Sequence, residues 1–461
     1  MLQKNAQAGD ACAPCKLGTC NLLLRIGLSL LATVVFCMTV CYTSYETMIP
    51  DYLWTALIFS GVYLTALLPF VCDRKLKLGP MTVAALLTAA LIFARVCLLH
   101  YESNDYRAFL SDWLGQMRQL TAVEVMRTPI GDYNMPYLYL LLGISRTPLD
   151  SLMLIKTISC VFDVLAAFFV MKCVGLRTER FALRLTAYAL TLALPTVLLN
   201  GAYWGQCDSM FAALCLGMLY FVLRAKRNDG RWACILWAAA FSFKLQAIFA
   251  LPLLIIALFV KRVKLRHLLW LPAVFFAGLL PALICGRHFL DCIGIYFSQA
   301  SQYPYMSLNL PSIWSLLGVV KFEPFNLFAI FLAGAAVLTF LYLCWEYRHG
   351  FDQKTLLPAF FLGALLIPYL LPRMHDRYFY LADLAALAVF LDCPKKWYVP
   401  LITVLSSYSV YRAYSMGIML FEMETWAVAL LVLLTVLLKE FFTTLKQKHQ
   451  AVTATTEQAD A

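Results

Sequence analysis

Four short polar segments interrupt an otherwise apolar chain, and each carries side chains able to do chemistry. The first runs His100-Tyr-Glu-Ser-Asn104-Asp105-Tyr106 and leads to Trp113. Asp105 offers a carboxylate suited to general-base work; the plain alternative is an N-cap for the helix that follows. The second runs Asn200-Gly-Ala-Tyr-Trp204-Gly-Gln206-Cys-Asp208-Ser209, an interfacial turn in which Asp208 also reads as a helix cap. The third is Lys244-Leu-Gln246, a lysine in the middle of an apolar stretch. Such a charge is costly in a membrane and marks a functional site unless it snorkels to the interface. The fourth is Pro372-Arg373-Met-His375-Asp376-Arg377-Tyr378. Two arginines suit bidentate binding of phosphate oxygens, and an Asp376–Arg377 ion pair is the structural alternative.

Taken together, these residues pair one acid with a cluster of cations. Glycoside hydrolysis normally needs two carboxyls, because the leaving alcohol must be protonated. Transfer from a sugar phosphate needs one, since a phosphate departs readily when cations stabilise its charge. No dinucleotide-binding glycine pattern, P-loop or soluble nucleotide domain is present. The expected donor is therefore lipid-borne in preference to a nucleotide sugar.

The elements that position these residues must be membrane helices. Of 461 residues, 62% are hydrophobic and 14% charged, against about half and a quarter in a soluble domain. Apolar segments fall near 21–42, 51–71, 80–99, 150–171, 185–200, 207–223, 232–260, 266–284, 325–345, 355–371, 378–392, 397–413 and 424–440. The 232–260 stretch is long enough to be two helices broken at Lys244. This predicts an all-α polytopic protein with roughly 13–14 membrane helices. Phe109, Leu110, Trp113, Leu114 and Met117 recur at helical spacing, predicting an amphipathic interfacial helix in the first long outer loop.

The net charge of +11 does not point to nucleic acid, because the basic residues sit in short clusters between apolar segments. These clusters include Arg74 to Lys77, Arg177 to Arg184, Lys261 to Arg266, Arg348 with Lys354, Lys395 with Lys396, and Lys439 to Lys448. An even number of crossings puts all of them on the cytoplasmic side and the four polar segments outside. The domain reading is a cytoplasmic tail over 1–20, one membrane catalytic domain over 21–445, and a disordered cytoplasmic tail over 446–461. Smaller features are a Lys156–Asp163 polar pair, a snorkelling Arg95, and a Leu308 to Trp314 loop placed to cover a ligand. The sixteen cysteines mostly read as small hydrophobes. Cys12, Cys15 and Cys20 cluster without a second ligand pair at zinc spacing, and Cys285 with Cys292 is a weak disulfide candidate.

The four segments, in order from about residue 100 to 380, resemble the Gpi18-like mannosyltransferase family of the GT-C glycosyltransferase superfamily. Asn104-Asp105-Tyr106 with Trp113 resembles that family's first outer loop. Asn200 to Asp208 resembles its N-x-x-W-G-Q-x-D segment, Lys244-Leu-Gln246 its K-x-Q element, and Pro372 to Tyr378 its P-x-M-H-E-R-Y signature. Asp376 stands where that pattern often has Glu. The resemblance implies a GT-C-like fold, a polyprenyl-phosphate-linked donor and inverting single-displacement transfer. It implies Asp105 as general base and His375 and Arg377 as contacts of the donor phosphate. It marks Asn104, Tyr106, Trp113, Trp204, Gln206, Asp208, Lys244, Gln246, Arg373 and Asp376 as further substrate-binding positions. Metal dependence varies within the superfamily, so no cofactor is assigned and a divalent metal stays open.

The expectation is thus a mannosyltransferase-like enzyme of the extracytoplasmic face, in a bacterial cytoplasmic membrane with the endoplasmic reticulum as the alternative location, acting on a glycan, lipid or protein acceptor. The alternative is a transporter or flippase of a lipid-linked glycan. Transporters commonly show paired repeats and a site near the bilayer midplane, and no repeat is visible here.

Overall fold

A computed structural model describes residues 13–49, 51–73, 75–301, 304–317 and 323–460. Cys12 and Arg74, and the side chains of Cys15 and Cys20, lie outside the described residues. The chain divides into two compact units, one up to Cys97 and one from Leu98 onward.

The first unit is three helices, α1 (Ala13–Glu46), α2 (Tyr52–Val71) and α3 (Leu78–Val96). Phe36 stacks on Tyr63 at 4.7 Å, and the Tyr63 hydroxyl donates to the Ala85 carbonyl at 3.2 Å, tying the three together. Helix α1 already begins within the stretch assigned to the tail. Arg95 does not snorkel: it is fully buried and donates to the Leu91 carbonyl at 3.0 Å.

The second unit starts with a π-helical turn (Tyr106–Leu110) running into α4 (Ser111–Gln119), then α5 (Ala122–Arg127) and α6 (Met135–Ser145). Long α7 (Ser151–Gly175) and α8 (Phe181–Ala193) follow, with a short α9 (Pro195–Leu198) and a second π turn (Leu199–Trp204). Then come α10 (Asp208–Arg224), α11 (Asp229–Phe243), a 3₁₀ segment (Leu245–Ala250), α12 (Leu251–Phe259), α13 (Trp270–Ile284) and α14 (Phe289–Ser301). The chain ends with α15 (Glu323–Glu346), α16 (Gln353–Leu370), α17 (Tyr380–Asp392), α18 (Tyr398–Met416) and α19 (Met423–Asp460). The one sheet among the described residues is a two-residue parallel pair, β1 (Ser307–Leu308) with β2 (Met374–His375).

Among the described residues, eight helices are long and apolar enough to cross a bilayer, or nine if the bent 181–204 pair is one span. Lipid is the natural solvent for their outer faces: Leu327, Phe331 and Leu338 on α15 are 62–68% exposed. The protein is therefore a multi-pass α-helical membrane protein. The number of full-length spans is smaller than the sequence reading gave, for a physical reason. Helices α10, α11, α12 and α17 have 17, 15, 9 and 13 residues. Ten consecutive residues of α17, Tyr380 to Val389, are all buried. A helix apolar all round because protein surrounds it looks in sequence like one surrounded by lipid.

The amphipathic helix is present. Leu110, Leu114 and Met117 are buried in an apolar cluster with α6, while Asp112 bonds Gln116 on the opposite face at 2.9 Å. Thr121 and Glu124 form a reciprocal capping box that starts α5. Pro195 breaks the α8–α9 stretch by 50°. At the C-terminus, α19 continues through 446–460, where composition suggests disorder. Lys448 anchors this stretch to Asp352 at 2.7 Å, and Thr453 and Thr455 bond carbonyls one turn earlier. Cys285 and Cys292 are both free thiols, so they form no disulfide.

Candidate functional site

Three loop segments and one helix start converge within the second unit. Asp105 enters the first turn of its helix, yet its side chain makes no capping bond. Ser103 takes that role: its hydroxyl accepts from the Tyr106 N–H at 3.2 Å. The Asp105 carboxylate, 30% exposed, is left facing the site. One oxygen, Oδ2, accepts from Trp204 Nε1 at 3.1 Å and Gln206 Nε2 at 2.6 Å; Tyr414 Oη reaches Oδ1 at 3.5 Å.

The π turn presents two neighbouring donors to one carboxylate because Gly205 adopts φ +79°. That left-handed conformation suits glycine alone at low cost. Gly201 sits tight on α7, where an added Cβ would meet Asp163 and Ser159 at 3.3 Å. Ser159 fixes the segment further by donating to the Gln206 carbonyl at 2.7 Å and accepting Ser209 at its own carbonyl at 3.1 Å.

Asp208 does not cap α10; it is a fully buried electrostatic hub. Its Oδ1 is paired directly with Lys244 Nζ. Its Oδ2 accepts from Asn200 Nδ2 at 2.9 Å and faces Arg377 Nε at 3.4 Å. Lys244 is held there because the chain leaves α11 in an extended conformation (φ −154°, ψ 133°) before the 3₁₀ segment begins. It is 6% exposed and does not snorkel.

Arg377 completes the hub. Its Nη1 lies 3.9 Å from Asp105 and 3.4 Å from Asp376, and its guanidinium sits 5.7 Å over the Trp204 ring. Tyr414 also stacks on Trp204, with ring centroids 3.8 Å apart. The loop bearing Arg377 is clamped by the 304–317 segment: Met306 accepts from the Arg373 N–H at 2.8 Å, and Trp314 Nε1 donates to the Leu370 carbonyl at 2.7 Å. The loop expected to cover a ligand is thus packed against the signature loop.

These groups line one cavity of about 170 Å³. Asp105, Trp113, Trp204, Gln206, Lys244, Gln246, His375, Asp376 and Arg377 all reach it. Asp208 stands behind the wall and works through Lys244 and Arg377. Three further expected positions do not reach the cavity. Asn104 is exposed on the helix, Tyr106 packs into the apolar cluster beneath α4, and Arg373 turns away at φ +61° to lie against the Asn326 amide. Lys156 and Asp163 do not pair either. Lys156 donates to the carbonyls of Leu98, Leu99 and Tyr101 at 3.1, 3.0 and 2.6 Å, while Asp163 accepts from Tyr380 Oη at 3.2 Å.

Sequence reasoning missed Asp132, Tyr133, Gln299 and Tyr414, which also line the cavity. Asp132 and Tyr133 follow Gly131, whose φ of +72° marks a turn, and Tyr133 meets Trp113 edge-on at 5.7 Å. Gly131 was the available signal; Tyr414, inside an apolar helix, gave none.

The cleft is not cationic: its two cations are outnumbered by carboxylates, Asp132 among them. Lys244 and Arg377 face Asp105 and Asp208, with Asp376 beside them. Burial lowers His375 to about 3, reinforced by Arg377 and Lys244, so it is neutral at pH 7. Burial raises Asp376 to about 6, with Arg377 opposing the shift. Two buried acceptors on cavity-lining residues, Gln206 Oε1 and Gln246 Oε1, have no hydrogen-bond partner among the described residues. Among the described residues no three His, Cys, Asp or Glu side chains gather to hold a metal ion.

Fold and site together define an all-α multi-pass membrane protein with a buried polar cleft that holds both cations and carboxylates. Compared with protein families, curated proteins and solved structures, the chain shows no significant match.

Proposed function

We propose that the protein is an inverting glycosyltransferase that moves a monosaccharide from a polyprenyl-phosphate-linked donor to an acceptor hydroxyl. The observation that carries this reading is the shared cavity: a partly exposed Asp105 carboxylate lines it together with Lys244 and with Arg377, 3.9 Å from that carboxylate. The resemblance of the four segments to the mannosyltransferases supports it.

On this reading the acceptor oxygen forms a bond to the sugar's anomeric carbon as the bond to phosphate breaks. Asp105 takes the acceptor proton and goes from charged to neutral. The donor phosphodiester, with one negative charge, leaves as a phosphate monoester with up to two. Negative charge therefore moves from Asp105 to the leaving phosphate and its total stays constant. Arg377 and Lys244 stabilise the leaving group more in the transition state than in the ground state. Asp208 holds both cations, which keep further donors: a lysine ammonium has three N–H groups and a guanidinium five. Gln206 and Gln246 would accept hydrogen bonds from sugar hydroxyls. Basic loops gathered at the other end of the second unit favour a cleft on the extracytoplasmic side.

The test is purified protein supplied with a series of polyprenyl-phosphate sugars. Asp105→Asn is expected to fold and bind donor while losing turnover by about 10²-fold or more. Near-normal turnover of that variant removes Asp105 as the base. Translocation of a labelled lipid sugar in liposomes without a new glycosidic bond would replace the transferase reading by transport.

A further inference from the structure

A second cavity, of about 600 Å³, lies among α7, α16, α17 and α19. It is far from the cleft. Helix α16 has Lys354 and Thr355, in its first turn, at the cavity and Leu370 next to the signature loop, and its 18 residues span about 27 Å at 1.5 Å each. The two polar sites thus stand about one hydrocarbon thickness apart.

The rim of this cavity is built from four of the separate basic loops. Arg177, Lys354, Lys396 and Lys448 converge there, although the chain between the first and last is more than half its length. Three have carboxylate partners: Arg177 with Asp392 at 3.1 Å, Lys396 with Glu440 at 2.8 Å and Lys448 with Asp352 at 2.7 Å. Lys354 is exposed and makes no ion pair among the described residues. Four cations against three carboxylates leave an excess of one positive charge. Below the rim the walls are apolar, with Phe361 and Phe441 buried among leucines and valines.

A cavity with a singly cationic rim and a greasy wall matches an amphiphile with one anionic headgroup. We propose that it is a binding site for a membrane phospholipid whose headgroup carries a net single negative charge, with the phosphate at Lys354 and an acyl chain along Phe361 and Phe441. Basic pockets between membrane helices are suited to anionic headgroups, each cation near the surface adding about 1 kcal/mol. Nothing in this proposal depends on the chemistry of the cleft.

The test is native mass spectrometry of the full-length protein in detergent with phosphatidylglycerol, phosphatidylcholine or inorganic phosphate added. One phosphatidylglycerol is expected to stay bound under conditions that strip phosphatidylcholine. Lys354→Gln, at an exposed position that tolerates substitution, is expected to weaken it about fivefold. Thr444→Phe, which fills the cavity without changing charge, is expected to reduce binding as well. Equal retention of phosphatidylcholine, or phosphatidylglycerol binding unchanged in both variants, overturns the proposal. Displacement of the lipid by millimolar inorganic phosphate would make it a free-anion site and overturn the lipid assignment.

Discussion

Asp208 is the residue whose loss tests the site most directly. It is fully buried and compensates Lys244, which is 6% exposed, and Arg377, whose side chain is 13% exposed. Asp208→Asn keeps the shape and the bond from Asn200 reduced to a neutral contact, but it removes the charge. Lys244 then remains buried without its counter-ion. Breaking a buried pair by removing one partner costs about 3–5 kcal/mol, whereas replacing both partners by neutral groups is often nearly neutral. Arg377 keeps Asp105 and Asp376 within 3.9 Å, so most of the loss falls on Lys244. The expected pattern is non-additive. Asp208→Asn destabilises by about 3–5 kcal/mol, and Asp208→Asn with Lys244→Met recovers about 2 kcal/mol or more of it. The assay is reversible unfolding of the purified protein in mixed micelles by increasing denaturing detergent, for the wild type, both single variants and the double. On the transferase reading the double variant stays inactive despite its recovered stability. If its destabilisation equals the sum of the singles, Lys244 and Asp208 do not compensate each other and the hub assignment is wrong.

Lys156→Met is expected to cost about 3 kcal/mol, from three charge-assisted bonds partly offset by the removed burden of burying an ammonium. Because its acceptors lie just before Asp105, amide exchange across 98–106 should quicken by about 100-fold; unchanged protection there would rule out an anchoring role. Asp376 gives a pH signature. Its carboxyl is raised from 3.8 to about 6, so the folded state disfavours ionisation; stability is full below 3.8 and lost as pH rises through 6. The loss is about 3 kcal/mol above pH 7, so Asp376→Asn should unfold at higher temperature than wild type at pH 7.5 and near the same temperature at pH 4. A stabilisation independent of pH would show that Asp376 is not held in its neutral form.

The amino-acid sequence by itself determined the class of this protein and picked out most of the polar residues that meet in the cleft. Apolar stretches of bilayer length fix a helical membrane protein because an unpaired backbone cannot stay in lipid. Charged and amide side chains stranded among them, Lys244 above all, point to a site because such burial has to be compensated. Spacing along the chain holds no information on which groups compensate which. Asp208 read as a cap and became the hub, Ser103 freed Asp105 from capping, and Lys156 found three carbonyls instead of Asp163. Arg373 and Arg377 look alike in one motif, yet a positive φ turns the first away while the second meets three carboxylates. The count of spans also belonged to the tertiary structure, since protein and lipid are equally apolar surroundings for a short helix such as α17. Ion pairs and hydrogen bonds between residues 99 to 309 positions apart, such as Trp204 and Tyr414 with Asp105, exist only once the helices pack. Their partners are chosen by which side chains burial brings together, and that is a property of the folded chain.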